Sequence, residues 1–304
     1  MVTILIIMLS LAALAVIRSE RRGRNRAQIE HHYLQMLLLG DSQSERYIEE
    51  LTLLSGRVAR QSVADVIADL SPIIYRMDPQ WLESVTRSLH LGDYLLDKTA
   101  RRRGAARAIA LSTFAKIPYL SVDIDRLVPY INSEDRMVRL FALLALINAD
   151  RANAMRYIAS YPSPLTPFEL SQLIFYLRQG SMAVAYQPML RCSNLNLNML
   201  GVAVVCNFGI ESAEEELREI IDKGDDFALR REALYTLGSM QLTLCTPSIL
   251  LFVGKMPNIE RRRFLRYIAS EGYSHRVLRF FVTERESLPL MSFINSYKIK
   301  IGCS

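Results

Sequence analysis

The chain has 304 residues, of which half are hydrophobic and 22% are charged, so it is too apolar to be disordered and long enough to bury a large core. Glycine and proline are sparse, and the abundance of Leu, Ala and Arg favours helices over strands. The formal net charge of +6 leaves two partner classes open, nucleic acid and an anionic membrane surface.

The first predicted element is an apolar helix over residues 2–17, which read VTILIIMLSLAALAVI. These sixteen residues would rise about 24 Å, slightly less than a hydrocarbon core, and flanking arginine side chains can cover the difference. A cleaved secretory signal is the alternative, because Ala13-Leu14-Ala15 matches an A-x-A cleavage site. Signal peptides, however, carry positive charge before the apolar run, and here the charge follows it.

The charge after the apolar run predicts a membrane topology. The expected membrane-flanking residues are Arg18, Arg21, Arg22, Arg24 and Arg26. Positive charge resists translocation, so we predict a retained single-pass anchor over residues 1–18 in the inner (cytoplasmic) membrane, with a cytoplasmic C-terminal domain. Setting the topology is a sufficient role for these arginines, and nothing in the run specifies a particular lipid.

Residues 19–75 are predicted to form a basic juxtamembrane segment and the N-terminal helices. The apolar stripe Ile29, Tyr33, Met36 and Leu37 predicts a helix that ends at Gly40. Two more helices are expected over residues 43–54 and 58–75, the latter bent near Pro72.

Two later segments share one pattern. Residues 135–146 read DRMVRLFALLAL and residues 226–237 read DFALRREALYTL, so both fit D-x-x-[VL]-R-x-x-A-x-x-[AT]-L. With Arg139 and Arg230 as the marker position, weaker copies align at Arg107, Leu170, Gly201 and Arg262. The series 107, 139, 170, 201, 230 and 262 has intervals of 29 to 32 residues, which predicts a tandem repeat of helix pairs.

The two strong copies resemble the HEAT-repeat signature, in the short bacterial version found in phycobilin-lyase-type repeats. The resemblance implies an all-α fold, a right-handed α-solenoid of about six HEAT-like helix pairs over residues 76–287, preceded by the transmembrane helix. It also implies a ladder of bonds between adjacent units, formed by Asp135, Arg139, Asp226 and Arg230. The ladder is expected to break at Leu170 and Gly201, which lack the arginine. Residues 288–304 lack helical periodicity and are expected to form a cap or an irregular tail.

The sequence contains no recognised catalytic, nucleotide-binding or metal-binding motif. Cys192, Cys206, Cys245 and Cys303 have no CxxC spacing, so we expect buried, reduced thiols. We therefore expect no catalytic residue, no cofactor and no metal.

Two arginine pairs share helix faces and are candidate interaction patches: Arg103 with Arg107, and Arg262 with Arg266. Such patches could contact nucleic-acid phosphates, as in some HEAT-like DNA glycosylases. The interleaved acidic residues and the predicted anchor favour ordinary solvated faces instead, and we expect no nucleic-acid partner.

These features predict a membrane-anchored scaffold or adaptor that binds an unidentified, membrane-associated protein through a concave solenoid face. A complex that builds an envelope polysaccharide is a candidate client by analogy alone. The alternative is a HEAT-like enzyme of the lyase or DNA-glycosylase type.

Overall fold

The computed structural model describes residues 20, 23–24, 27–28, 31, 57–71, 79–117, 120–178 and 185–282. Within these ranges every regular element is a helix and no strand occurs, so the all-α prediction is confirmed. The α-helices there are α1 (Arg57–Leu70), α2 (Pro79–Ser88), α3 (Leu91–Arg101), α4 (Gly104–Lys116), α5 (Arg136–Ala149), α6 (Ala154–Ala159), α7 (Pro167–Arg178), α8 (Tyr186–Arg191), α9 (Leu195–Phe208), α10 (Glu214–Lys223), α11 (Phe227–Ser239), α12 (Pro247–Lys255), α13 (Asn258–Ser270) and α14 (His275–Arg279).

The chain divides into two compact units, Met1–Pro162 and Ser163–Ser304. In the first unit α4 is the central helix and packs against α1, α3 and α5. Leu111 and Phe114 of α4 are almost completely buried in that core, as is Leu143 of α5. Burying such large apolar side chains contributes about 1.5–3 kcal/mol each, which explains why the nearly uncharged α5 lies inside.

The helices of the second unit pack in two rows. In the odd row, α7, α9, α11 and α13 contact one another in succession. In the even row, α8 contacts α10, and α10 contacts α12. The rows are joined by contacts of α8 with α9 and of α10 with α11. Helices α8, α9, α10 and α11 therefore each pack against a helix of their own row and against a helix of the neighbouring row.

Side-chain caps begin several of these helices. Asp135 accepts bonds from the backbone N–H groups of Met137 and Val138 at 2.9 and 3.3 Å. Asn194 and Asp226 cap α9 and α11 in the same way. Each such cap contributes about 1 kcal/mol, because it satisfies a backbone donor that has no partner inside the helix.

A capping box begins α7. The backbone N–H of Thr166 donates to Glu169 Oε2 at 2.8 Å, and the N–H of Glu169 donates back to Thr166 Oγ1 at 3.3 Å. The sequence indicates such a box at Ser212–Glu215 too, but Ser212 lies in a short 3-10 turn (Glu211–Ala213) that precedes α10 and caps nothing. Its hydroxyl meets Tyr186 OH instead, at 3.0 Å.

Several sequence predictions need correction. Helix α1 ends at Leu70 rather than at residue 75, because a helix seldom continues into the residue before a proline, here Pro72. Cys206 is exposed, and Cys192 and Cys245 are half-buried, so the prediction of buried thiols is wrong for these three; all three are free.

The register of the repeat marker in α9 is also corrected. Arg139 and Arg230 are each the fourth residue of their helix. The fourth residue of α9 is Asn198, so Gly201 lies three residues too far along the chain to be the equivalent position.

Several predictions lie outside the described residues. They are the anchor over residues 1–18, the helices expected between residues 29 and 54, the tail over residues 288–304, and Arg18, Arg21, Arg22 and Arg26. Among the described residues, no helix combines the length and the apolar character that crossing a membrane requires.

Candidate interaction surface

The odd row carries exposed and half-exposed aromatic or arginine side chains on each of its four helices or at its end. We call this surface the odd-row face and define it by nine residues of α7, α9, α11 and α13: Phe175, Arg178, Asn207, Phe208, Arg231, Tyr235, Glu260, Arg263 and Tyr267. On α7, α11 and α13 these residues recur at three- or four-residue spacing and so lie along one side of the helix, whereas Asn207 and Phe208 are adjacent at the end of α9.

The first part of the face joins α7 to α9. Arg178 Nη2 donates to the carbonyl oxygen of Asn207 at 3.2 Å. Its guanidinium carbon lies 5.9 Å from the centroid of the Phe208 ring. Phe175 and Phe208 are each 49% exposed, although they are large apolar side chains. Two half-exposed phenylalanines beside an arginine form a patch of the composition that dominates binding energy at protein interfaces.

The second part of the face joins α11 to α13. The rings of Tyr235 and Tyr267 lie 4.7 Å apart with an interplanar angle of 36°. Tyr267 OH donates to the carbonyl oxygen of Tyr235 at 3.3 Å. Burial, the largest cause, raises the pKa of Tyr267 to about 12 and also raises the pKa of Tyr235. Both phenols therefore stay neutral at physiological pH.

Charged side chains surround the tyrosine pair. Arg231 lies 3.8 Å from Glu260, and Arg263 lies 3.1 Å from the same carboxylate. Partly exposed ion pairs of this kind add little stability, typically about 0–1 kcal/mol. Their effect is to fix the positions of the charged groups beside the tyrosine pair.

The four residues of the predicted ladder bond to backbone groups. Asp135 and Asp226 accept from the first N–H groups of their own helices. Arg139 donates to the carbonyl oxygens of Ser133 and Glu134, and Arg230 donates to that of Ile221. These bonds hold each helix start to the turn or helix before it. A ladder from one unit to the next stays a prediction.

The two predicted arginine patches differ in exposure. Arg103 is exposed, whereas Arg107 is half-buried and donates to the carbonyl oxygen of Thr99 at 3.3 Å. Arg262 and Arg266 are both exposed on α13. Of the arginines predicted to flank a membrane, the structure describes Arg24, which is exposed and lies 3.6 Å from Glu20.

No group of three His, Cys, Asp or Glu side chains within the described ranges is placed to hold a metal ion. Comparison with models of known protein families, with curated proteins and with solved structures finds no match to this chain.

The aromatic part of the odd-row face has a regular position in the sequence repeat, although it belongs to no known motif. Phe175, Tyr235 and Tyr267 each follow a marker position (170, 230 or 262) by five residues. An aromatic residue at the same place in three repeats would have marked the odd-row face. Arg178 and Phe208 gave no such signal, because their contact depends on how α7 packs against α9.

Proposed function

We propose that this protein is a membrane-anchored scaffold whose odd-row face binds a protein partner. The observation that carries the proposal is the set of aromatic and arginine side chains on successive helices α7, α9, α11 and α13, with Phe175 and Phe208 half-exposed. Interfaces gain most of their binding free energy from such side chains, and single exposed aromatics are much less informative than a row of them.

The proposal includes a right-handed α-solenoid of short HEAT-like helix pairs, with the odd-row face as its concave side. Two observations support the solenoid. Helices of the second unit contact one another in succession along each row, and helix starts recur at a nearly constant interval. Helices α4, α5, α7, α9, α11 and α13 begin at residues 104, 136, 167, 195, 227 and 258, so 28 to 32 residues separate successive starts. Helix pairs that cannot bury their apolar faces alone gain stability by stacking in this way.

We also propose that residues 2–17 anchor the chain in the inner membrane, with the helical units in the cytoplasm. The support is the uncharged run and the arginines that follow it. A reporter fused to the C-terminus should be active in the cytoplasm. A reporter active only in the periplasm would show the topology wrong, and recovery of a chain cleaved after Ala15 would favour the secretory alternative.

Site-specific photo-crosslinking tests the binding face. A photoreactive residue replacing Phe175 in the full chain should give one reproducible adduct in isolated membranes. The same residue replacing Glu215, which is exposed on α10 of the even row, is the matched control. Adducts that are equal at both positions, or absent at both, would contradict the proposal.

Two exposed arginines provide a second test. Arg178→Ala removes a contact of the odd-row face, and Arg191→Ala removes an exposed arginine of α8 in the even row. We expect Arg178→Ala to reduce the yield of the adduct about tenfold, since hot-spot truncation commonly costs more than ~1 kcal/mol. Arg191→Ala should leave the yield unchanged.

A further inference from the structure

A cleft opens in the first compact unit. It has a volume of about 1060 Å³ and is bounded mainly by α1, α3 and α4. Most of its wall area is apolar, and the lining also includes the charged or hydrogen-bonding side chains of Gln61, Asp65, Tyr94, Lys98, Arg101 and Arg102. A cleft of this size accommodates a small molecule or a lipid headgroup.

Within the cleft, Lys98 donates a hydrogen bond to the neutral side chain of Gln61. Gln61 Oε1 accepts from Lys98 Nζ at 2.5 Å and from Tyr94 OH at 3.0 Å. The amide nitrogen of Gln61 in turn donates to Asp65 Oδ1 at 2.6 Å, which fixes the orientation of the amide. An ammonium group has three N–H donors. Within the described part of the chain, the bond to Gln61 is the one hydrogen bond that Lys98 donates. The other donors can bind a ligand.

Burial lowers the pKa of Lys98, and the charge of Arg102 acts in the same direction. The nearby Asp65 opposes this effect through space. A half-buried ammonium beside another cation is stabilised by any anion that enters, because the anion replaces lost solvation with a direct charge interaction.

The charge around the cleft is positive. Arg126, outside the lining, donates to Asp93 at 3.3 Å and to Asp97 at 2.8 Å. The lining itself has four Lys and Arg side chains and three Asp side chains, a formal charge of +1, which Arg126 raises to +2; Arg101 lies 3.6 Å from Asp97. A phosphate monoester carries about −1.5 to −2 at pH 7 and matches this charge more closely than a single carboxylate does.

We propose that this cleft binds a phosphate monoester, with Lys98 donating to its oxygens and Arg101 and Arg102 lining the mouth. Gln61 acts as a positioning residue, because it holds the ammonium in place without neutralising it. Lysine serves here as a point charge toward phosphate, which is a common use of its side chain.

The monoester can be a lipid headgroup or a soluble metabolite. Gly23 lines the cleft and follows Ile17 by six residues, a span of about 20 Å at most even when fully extended. If residues 2–17 are the anchor, the cleft therefore lies near the membrane surface, and this part of the inference rests on the proposed anchoring. Binding of phosphate itself does not depend on it.

The chemical reactivity of Lys98 tests the site. The full chain in phosphatidylcholine nanodiscs is treated with an acylating reagent, and acylation of each lysine is quantified by mass spectrometry. Addition of glycerol 3-phosphate at about ten times its Kd should slow acylation of Lys98 roughly tenfold, because about 10% of the sites stay empty. Lys116, which is exposed on α4, is the internal control and should react at an unchanged rate.

Nanodiscs that contain phosphatidic acid distinguish the sources. Protection of Lys98 by phosphatidic acid as well as by glycerol 3-phosphate assigns a lipid ligand, and protection by the soluble ester alone assigns a metabolite. Either outcome supports the site. Equal protection by sodium chloride at the same ionic strength, or unchanged Lys98 reactivity with every probe, overturns the proposal.

A variant of the positioning residue gives a second measurement. Gln61→Leu keeps the size of the side chain and removes the acceptor, so protection of Lys98 by glycerol 3-phosphate should weaken while its basal acylation rises. Unaltered protection in a folded variant would exclude the positioning role. If the C-terminal reporter contradicts membrane anchoring, the lipid headgroup is excluded as the ligand. Binding of a soluble phosphate monoester would be unaffected by that result.

Discussion

The guanidinium carbon of Arg230 lies 4.3 Å from the centroid of the Phe252 ring. The Nε of the same side chain donates to the carbonyl oxygen of Ile221 at 2.7 Å. Arg107 repeats this arrangement in the other compact unit, with Thr99 as the acceptor at 3.3 Å and the Tyr130 ring at 5.3 Å. An arginine at the fourth position of a helix thus ties together the helix before it and an aromatic residue after it.

Replacing Arg230 should destabilise the second unit. Arg230→Ala removes a hydrogen bond and a cation–π contact, for an expected loss of about 2 kcal/mol in the free energy of unfolding. The measurement is urea unfolding of the full chain in detergent, followed by circular dichroism. Lys223→Ala, which removes an exposed ion pair with Glu219, is the control and should leave the free energy of unfolding nearly unchanged. Equal losses in the two variants would refute a structural role for Arg230.

Asn198 takes the place of the arginine in α9. Its amide nitrogen donates to the carbonyl oxygens of Met189, Leu190 and Cys192 at 2.7, 3.3 and 3.0 Å. The side chain is buried, so it satisfies carbonyl groups at the end of α8 that water does not reach. Like Arg230, it joins its helix to the helix before it.

Asn198→Asp should be much more damaging than its small change in size suggests. The substitution places a buried carboxylate against three carbonyl oxygens, and we expect a loss of about 3–5 kcal/mol. The loss should diminish at acidic pH, where the carboxyl group is protonated and can donate. Asn132→Asp changes an exposed asparagine and is the matched control. Similar urea midpoints for the two variants would exclude this role for Asn198.

The Asn198 position illustrates why part of the fold could be predicted from the sequence and part could not. Periodicity predicts helices because burial of an apolar face depends on spacing alone, and Asp135 and Asp226 mark helix starts because a cap needs only neighbouring backbone groups. The equivalence of Asn198 to Arg230 is hidden, because the two share neither charge nor size. It becomes visible through the carbonyl groups that both reach in the helix before.

The candidate sites were predictable to a smaller extent for the same reason. Arg107 and Arg230 look like candidate binding residues in the sequence because they are charged. In the structure, each donates to a backbone carbonyl oxygen and lies against an aromatic ring. The network of Gln61 and Lys98 joins residues 37 positions apart in the chain, and its members belong to no motif. Such groupings depend on the packing of α1 against α3, which no local pattern specifies.

Alanine substitutions at Gly201 and Gly254 should change the stability of the chain in opposite directions. A Cβ added at Gly201 would lie 3.0 Å from Met189 Cβ and 3.0 Å from Leu190 Cδ2, whereas one added at Gly254 would meet nothing within 4 Å. Gly201→Ala should therefore cost about 1–3 kcal/mol by forcing α8 away from α9. Gly254→Ala should stabilise the chain by about 0.5 kcal/mol through better helix propensity. Thermal unfolding of both variants measures the difference, and a stabilising Gly201→Ala would show that α8 and α9 are not closely packed.

Alkaline pH should destabilise the folded chain through its buried and half-buried tyrosines. Burial raises the pKa of Tyr157, Tyr267 and Tyr273 to about 12, from an ordinary value of 10.0, and a 2.7 Å bond from Tyr157 to Asp150 adds to the shift of Tyr157. Between pH 10 and pH 12 the unfolded chain loses phenolic protons that the folded chain retains. The stability conferred by the neutral phenols is therefore complete below pH 10 and declines as the pH rises toward 12.

Tyr157→Phe should lessen the fall in melting temperature between pH 8 and pH 11.5. Comparison of the variant with the unaltered chain at pH 8 separates this effect from the loss of the hydrogen bond to Asp150. A variant whose melting temperature falls as steeply as that of the unaltered chain would show that Tyr157 titrates alike in the folded and unfolded states.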